Sequence, residues 1–217
     1  MRQLESDRLR GMGLAAYLSA LLLGISIWFT PCMADPDVKA EAPVRDPAQD
    51  QDKPAAKKIV YVVQASGSMM AVFDDVRVQL KSAVTNLHPP QVFNIVFIKE
   101  KENPTLAEGL LFATPENKKK AAAFIDDLAP RDHFDPLPAI AKAFEMEPQV
   151  VYLLINPSDI PDKEKLMALV KKQNQKIKLN VLALDGHDPG NEKFLKDLAV
   201  STGGQYKFLS EEDLKKK

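Results

Sequence analysis

Cysteine is almost absent: the 217 residues hold one, Cys32. No intramolecular disulfide is available, so any folded part must rest on a packed apolar core. An excess of charge of either sign is missing too, with 29 Lys and Arg against 30 Asp and Glu. That balance removes the basic footprint on which nucleic-acid binding depends. No glycine-rich phosphate loop occurs, and Ala65-Ser66-Gly67-Ser68 lacks the Gly-x-Ser-x-Gly frame of a nucleophile elbow. The three histidines, His88, His133 and His187, are scattered, and none adjoins a serine. These absences leave no catalytic residue to name. The expectation is a non-enzymatic protein with no cofactor and no nucleic-acid partner.

What is present begins with an uncharged apolar segment, Gly11 to Phe29, preceded by Arg2, Arg8 and Arg10. A positive flank, an apolar run and a small residue at the end describe a secretory signal with a cleavage point after Ala34. The run is also about long enough to span a bilayer, so an uncleaved anchor fits residues 1–34 equally well. Both readings keep the arginines in the cytoplasm and export the rest to a periplasmic or extracellular place. Pro31 beside Cys32 suits a lipoprotein signal poorly. Residues 35–57 hold four prolines, many charges and almost no large apolar residue. Such a stretch buries too little surface to fold and reads as a linker.

From Lys58 the pattern alternates. Ile59–Val63 is a continuous apolar, β-branched run, and Val92–Ile98, Val150–Ile155 and Ile177–Leu184 are mostly apolar strands of the kind buried on both faces of a parallel sheet. Leu110–Ala113 and Tyr206–Leu209 add two short strands. Between them lie helical patterns. The first, capped by Asp74 or Asp75, carries Val76, Leu80, Ala83, Val84 and Leu87 on one face and stops at His88-Pro89-Pro90. The others run from Pro115 to Leu128, Pro136 to Phe144, Asp162 to Gln173 and Asn191 to Val200, the last closed by Gly203-Gly204. The fold class expected is α/β, a doubly wound, mostly parallel sheet with helices on both faces, over residues 58–210. A charged tail, 211–217, follows. Ligands of such sheets bind beyond the carboxyl ends of the strands, where strand order reverses, which points to Gln64–Phe73.

That stretch, Val62-Val63-Gln64-Ala65-Ser66-Gly67-Ser68-Met69, resembles the Asp-x-Ser-Gly-Ser-Met opening of von Willebrand factor A domains. Three further segments resemble the same family in the same order: Asp135-Pro136-Leu137-Pro138-Ala139-Ile140, Val151-Tyr152-Leu153-Leu154-Ile155-Asn156, and Leu198 through Tyr206. The resemblance covers residues 58–209. It implies a Rossmann-type fold, a protein partner, and a metal-ion-dependent adhesion site in which aspartates, serines and a threonine hold magnesium.

The sequence departs from that ligand set at three positions. Gln64 and Asn156 stand where carboxylates are expected, and Phe134 where the threonine is; Pro157 replaces the glycine after the last aspartate. Ser66 and Ser68 remain. A hard dication needs anionic oxygens, and amides supply none, so no metal is expected at Gln64, Ser66, Ser68, Phe134 and Asn156. The same five positions mark the candidate ligand-binding edge. For Ser66-Gly67-Ser68 two readings stand: a retained binding role, or hydroxyls that only shape a turn. Phe134 is expected to fill the former site with apolar surface.

Two acidic clusters with an imidazole, Asp132-His133-Asp135 and Asp185-His187-Asp188, allow a relocated metal site, with Asp159 as a further ligand. They also allow a hydrolase built on a loop histidine. Turn chemistry is the plainer account of both. Lys118-Lys119-Lys120, Lys171-Lys172 and Lys215-Lys216-Lys217 read as solvated helix faces and a tail.

Overall fold

The computed structural model describes residues 57–99, 103–131, 135–173, 176–184, 186 and 188–215. Six strands occur among them: β1 (Lys58–Gln64), β2 (Val92–Ile98), β3 (Leu111–Phe112), β4 (Val150–Ile155), β5 (Lys178–Leu184) and β6 (Tyr206–Leu209). They form one sheet in the order β3-β2-β1-β4-β5-β6. Every pairing is parallel except that of β3 with β2. The apolar segment Gly11–Phe29 and the linker up to position 56 lie outside the described residues. Among the described residues, no helix is long and apolar enough to cross a membrane.

The continuous apolar runs have the cause expected of them: both faces of the sheet are covered. Ile59, Tyr61 and Val63 of β1 point into one core, and Val60 and Val62 into the other. The first core is closed by α1 (Phe73–Thr85) and α2 (Pro115–Asp126), with Phe73, Val76, Leu80, Ala121 and Ile125. The second is closed by α3 (Pro136–Glu145), α4 (Lys163–Lys171) and α5 (Pro189–Ser201), with Ile140, Leu166, Val170, Leu195 and Leu198. Burying one such side chain contributes about 1.5–3 kcal/mol, so two cores of this size hold the domain without a crosslink.

Four helices start as short polar residues dictate. Thr114, Asp135, Asp162 and Asp188 each accept a bond from a backbone N–H of the first turn, and three are followed directly by proline. The Lys165 backbone N–H, ahead of the Lys165 side chain, holds the Asp162 carboxyl below its ordinary range. At the far end of α5, Gly203 takes φ +70° and Gly204 lies so close to the Leu179 backbone that a Cβ would overlap it.

Three expectations are corrected. Neither Asp74 nor Asp75 caps α1; both lie within its first turn, and the cap position is Val72. A 3-10 turn at Gly67–Met69 runs straight into the helix, and the Val72 N–H is used by the Met69 carbonyl, so no side chain is needed to start it. Residues 211–217 do not begin as a tail. Glu211–Lys215 form a short helix, α6, whose Leu214 is buried in the first core while Gln79 Nε2 donates to the Leu214 carbonyl at 2.7 Å. Lys118 is not merely solvated: its Nζ donates to the carbonyls of Thr85 and Leu87 at the end of α1, at 2.7 and 2.6 Å.

Candidate functional site

β1 and β4 are neighbours, and the chain leaves them toward opposite sides of the sheet. Their carboxyl ends therefore form the reversal point at which doubly wound sheets bind ligands. β1 ends at Gln64 and β4 at Ile155, so Gln64 and Asn156 emerge side by side. The turn after β1 brings Ser66 and Ser68 back over the same point. Four of the five candidate positions are thus assembled. Phe134 lies outside the described residues; Arg131 donates its backbone N–H to the carbonyl of Ala65, just after β1, at 3.1 Å.

Gln64 organises the group. Its side chain is fully buried, and its Oε1 accepts from the Asn156 backbone N–H at 2.7 Å. That N–H needs an acceptor, which fixes the orientation of the amide and turns Nε2 toward the serines. Nε2 then donates to Ser66 Oγ at 2.7 Å and to Ser68 Oγ at 3.2 Å. The two hydroxyl oxygens are 2.9 Å apart and share a further hydrogen bond. The amide nitrogen occupies the place from which a cation would draw both hydroxyl oxygens. A divalent ion requires acceptors there, preferably anionic; these residues present a neutral donor. Gln64, Ser66, Ser68 and Asn156 do not fit such an ion.

The Asn156 side chain is engaged as well. Its Oδ1 accepts from the Ser158 N–H at 2.8 Å and starts the turn Pro157–Asp159. Gly186 crosses this turn with φ +93°, and a Cβ on it would lie 2.6 Å from Asn156 Oδ1. Only glycine suits both the backbone and the gap. Asn191 was not among the residues read from sequence as belonging here. It is buried, and its Nδ2 donates to the Pro157 carbonyl at 2.6 Å, tying the turn to the start of α5. The asparagine three residues after an Asp-Pro helix start was the available signal.

Of the acidic clusters, Asp135 and Asp188 serve as caps of α3 and α5. Asp132, His133, Asp185, His187 and the Asp159 side chain lie outside the described part. Among the described residues, no three His, Cys, Asp or Glu side chains converge as metal ligands would.

The sheet order, the two covering layers and a polar group at the reversal point define a doubly wound α/β binding domain. The chain belongs to the von Willebrand factor type A domain family, which it matches over residues 57–208. Domains of this family are typically protein-interaction and adhesion modules. Similar solved structures include a von Willebrand factor type A protein from Catenulispora acidiphila, at 15% identity over 74% of this chain and 40% of that one, TM-score 0.63. The pilus adhesin SpaC of Lactobacillus rhamnosus GG, in an open conformation, aligns at 12% identity over 76% and 29%, TM-score 0.64. Proximal thread matrix protein 1 of the mussel byssus, with a zinc-occupied MIDAS motif, aligns at 16% identity over 73% and 42%, TM-score 0.54. The chain thus spans less than half the length of each. No curated protein sequence matches it.

Proposed function

We propose that this chain is an exported, non-enzymatic protein-interaction domain of the adhesion or scaffold type that works without the metal of its family. The binding edge is the carboxyl end of β1 and β4, around Ser66, Ser68 and Asn156. One observation carries the metal-free reading: the Gln64 amide bonds both serine hydroxyls with its nitrogen and the Asn156 N–H with its oxygen. An internal donor replaces the ion, and the loops are held without one. The mussel protein, whose MIDAS motif takes zinc, shows what the same place accepts in another chain. The N-terminal apolar segment supports export, and the absence of a catalytic motif supports binding over catalysis.

The test is the melting temperature in millimolar magnesium, manganese and calcium. A ligand of the native state raises it, so a flat response is expected. A rise of several degrees with any of the three overturns the metal-free reading. The double variant Gln64→Asp, Asn156→Asp restores two carboxylates and is expected to gain a magnesium-dependent rise. A photo-crosslinking residue at Ser68 should capture a protein in the source cell; repeated failure to do so removes the interaction reading.

A further inference from the structure

Several helix lysines are ion-paired: Lys81 with Asp126, Lys165 with Asp162, Lys193 with Asp197 and Lys215 with Glu211. At the amino edge of the sheet the pattern is different. Lys171 and Lys172 end α4, Lys176 follows in the loop and Lys178 opens β5; all four are exposed, and none is ion-paired with a described residue. Acidic groups are present on the same edge, at Glu145 and Glu147 after α3 and at Glu108 before β3, but they lie toward β1 and β2. Two large apolar side chains also face solvent there: Phe112 on β3, 62% exposed, and Val200 at the end of α5, 63% exposed. The opposite edge is acidic, with Asp74, Asp75, Asp127, Asp188, Glu211 and Glu212.

The chain enters the domain at this basic edge. Lys57 precedes β1 at its amino end, and the sequence before it carries the uncharged segment Gly11–Phe29. We infer that the amino edge of the sheet docks on an anionic phospholipid surface, with Lys171, Lys172, Lys176 and Lys178 as its electrostatic contact. Three observations agree on that occupant. Unpaired lysines are attracted to anionic headgroups. Exposed Val200, at the end of the helix that packs against β5 and β6, suits the boundary between headgroups and acyl chains, whereas Phe112 on β3 lies beyond the acidic groups. The chain that carries the apolar segment joins the domain at this same edge. The acidic edge is repelled, so the domain is oriented with the Gln64 site facing away from the lipid, open to a partner. The inference rests on export with Gly11–Phe29 retained as an uncleaved anchor, and its test separates the two.

The full chain is placed in nanodiscs of neutral phosphatidylcholine, or with about a third of the lipid replaced by anionic phosphatidylglycerol. Backbone hydrogen exchange is followed over residues 171–178. Exchange slowed roughly five-fold in anionic discs only, and restored by Lys171→Gln, Lys172→Gln, Lys176→Gln and Lys178→Gln together, is the expected result. Equal exchange in both discs, as an acidic protein partner would give, overturns the proposal. Slowing that survives the four substitutions overturns it too. Retention by neutral discs reports the anchor separately. A chain that stays only on anionic discs through these lysines keeps the docking edge and loses the anchor; one that stays on neither loses both.

Discussion

The two edges of one sheet handle polarity in opposite ways. At the carboxyl edge, polar groups turn inward and onto one another: Gln64, Ser66, Asn156 and Asn191 are buried, and each has its bonds inside the protein. At the amino edge, Lys171, Lys172, Lys176 and Lys178 turn outward and are left without ion pairs to described residues. Buried polar atoms are costly when unmatched, whereas exposed charges contribute little to stability in either direction. The carboxyl edge is therefore built into the stability of the fold, and the amino edge is free to be chosen for what it meets.

The sharpest way to break this comparison is Gln64→Leu. It strands the buried Asn156 N–H and removes the donor that both serine hydroxyls share, and we expect a loss of about 3 kcal/mol in urea unfolding. A change under about 0.5 kcal/mol would mean the network is not structural. Gly186→Ala comes next. A left-handed backbone and the contact with Asn156 Oδ1 together cost about 2 kcal/mol, read by the same assay.

Tyr61→Phe has the opposite sign. The Tyr61 hydroxyl is fully buried and has no hydrogen-bond partner among the described residues, so its removal should raise stability by up to about 1 kcal/mol. Burial also pushes the Tyr61 hydroxyl above its usual range and, ahead of the nearby Glu192, pushes Tyr206 up to about 12. The folded state thus holds these protons more tightly than the unfolded chain. Stability is complete below the ordinary tyrosine value near 10 and falls as pH rises from there toward the folded-state value, so the urea midpoint should drop between about pH 10 and about pH 12. Tyr61→Phe should flatten that fall.

The smallest effect belongs to the amino edge. Replacing Lys171, Lys172, Lys176 and Lys178 with Gln should leave the urea midpoint within about 0.5 kcal/mol of the parent. A large loss would show that these side chains support the fold, and the contrast between the edges would vanish.

Sequence periodicity alone located the strands, because a strand buried on both faces must be apolar at every position, and Ile59–Val63 and Val150–Ile155 are. The strand ends also located the reversal point, and the family resemblance marked Gln64 and Asn156 beside it, because strand ends and motif positions are local facts. The pairing of Gln64 with Asn156 was out of reach: the two are 92 positions apart, and the direction of an amide is decided by which neighbour needs an acceptor. Asp74 and Asp75 misled for a related reason. A good capping residue is dispensable when the preceding turn already feeds the helix. For α6 a signal did exist. Ser210 and Asp213 exchange bonds as a capping box, with the Ser210 N–H on Asp213 Oδ2 and the Asp213 N–H on Ser210 Oγ, both at 3.3 Å. The lysines that follow it, and its single apolar residue, hid it.

Helix α6 also sets where the unit can be cut. A fragment stopped at position 208, where the family match ends, would lack the plug that Leu214 supplies and the carbonyl to which Gln79 donates, exposing a greasy slot along α1. Such a fragment would be sticky and prone to aggregate, and recombinant work on this molecule should carry the chain through Lys215.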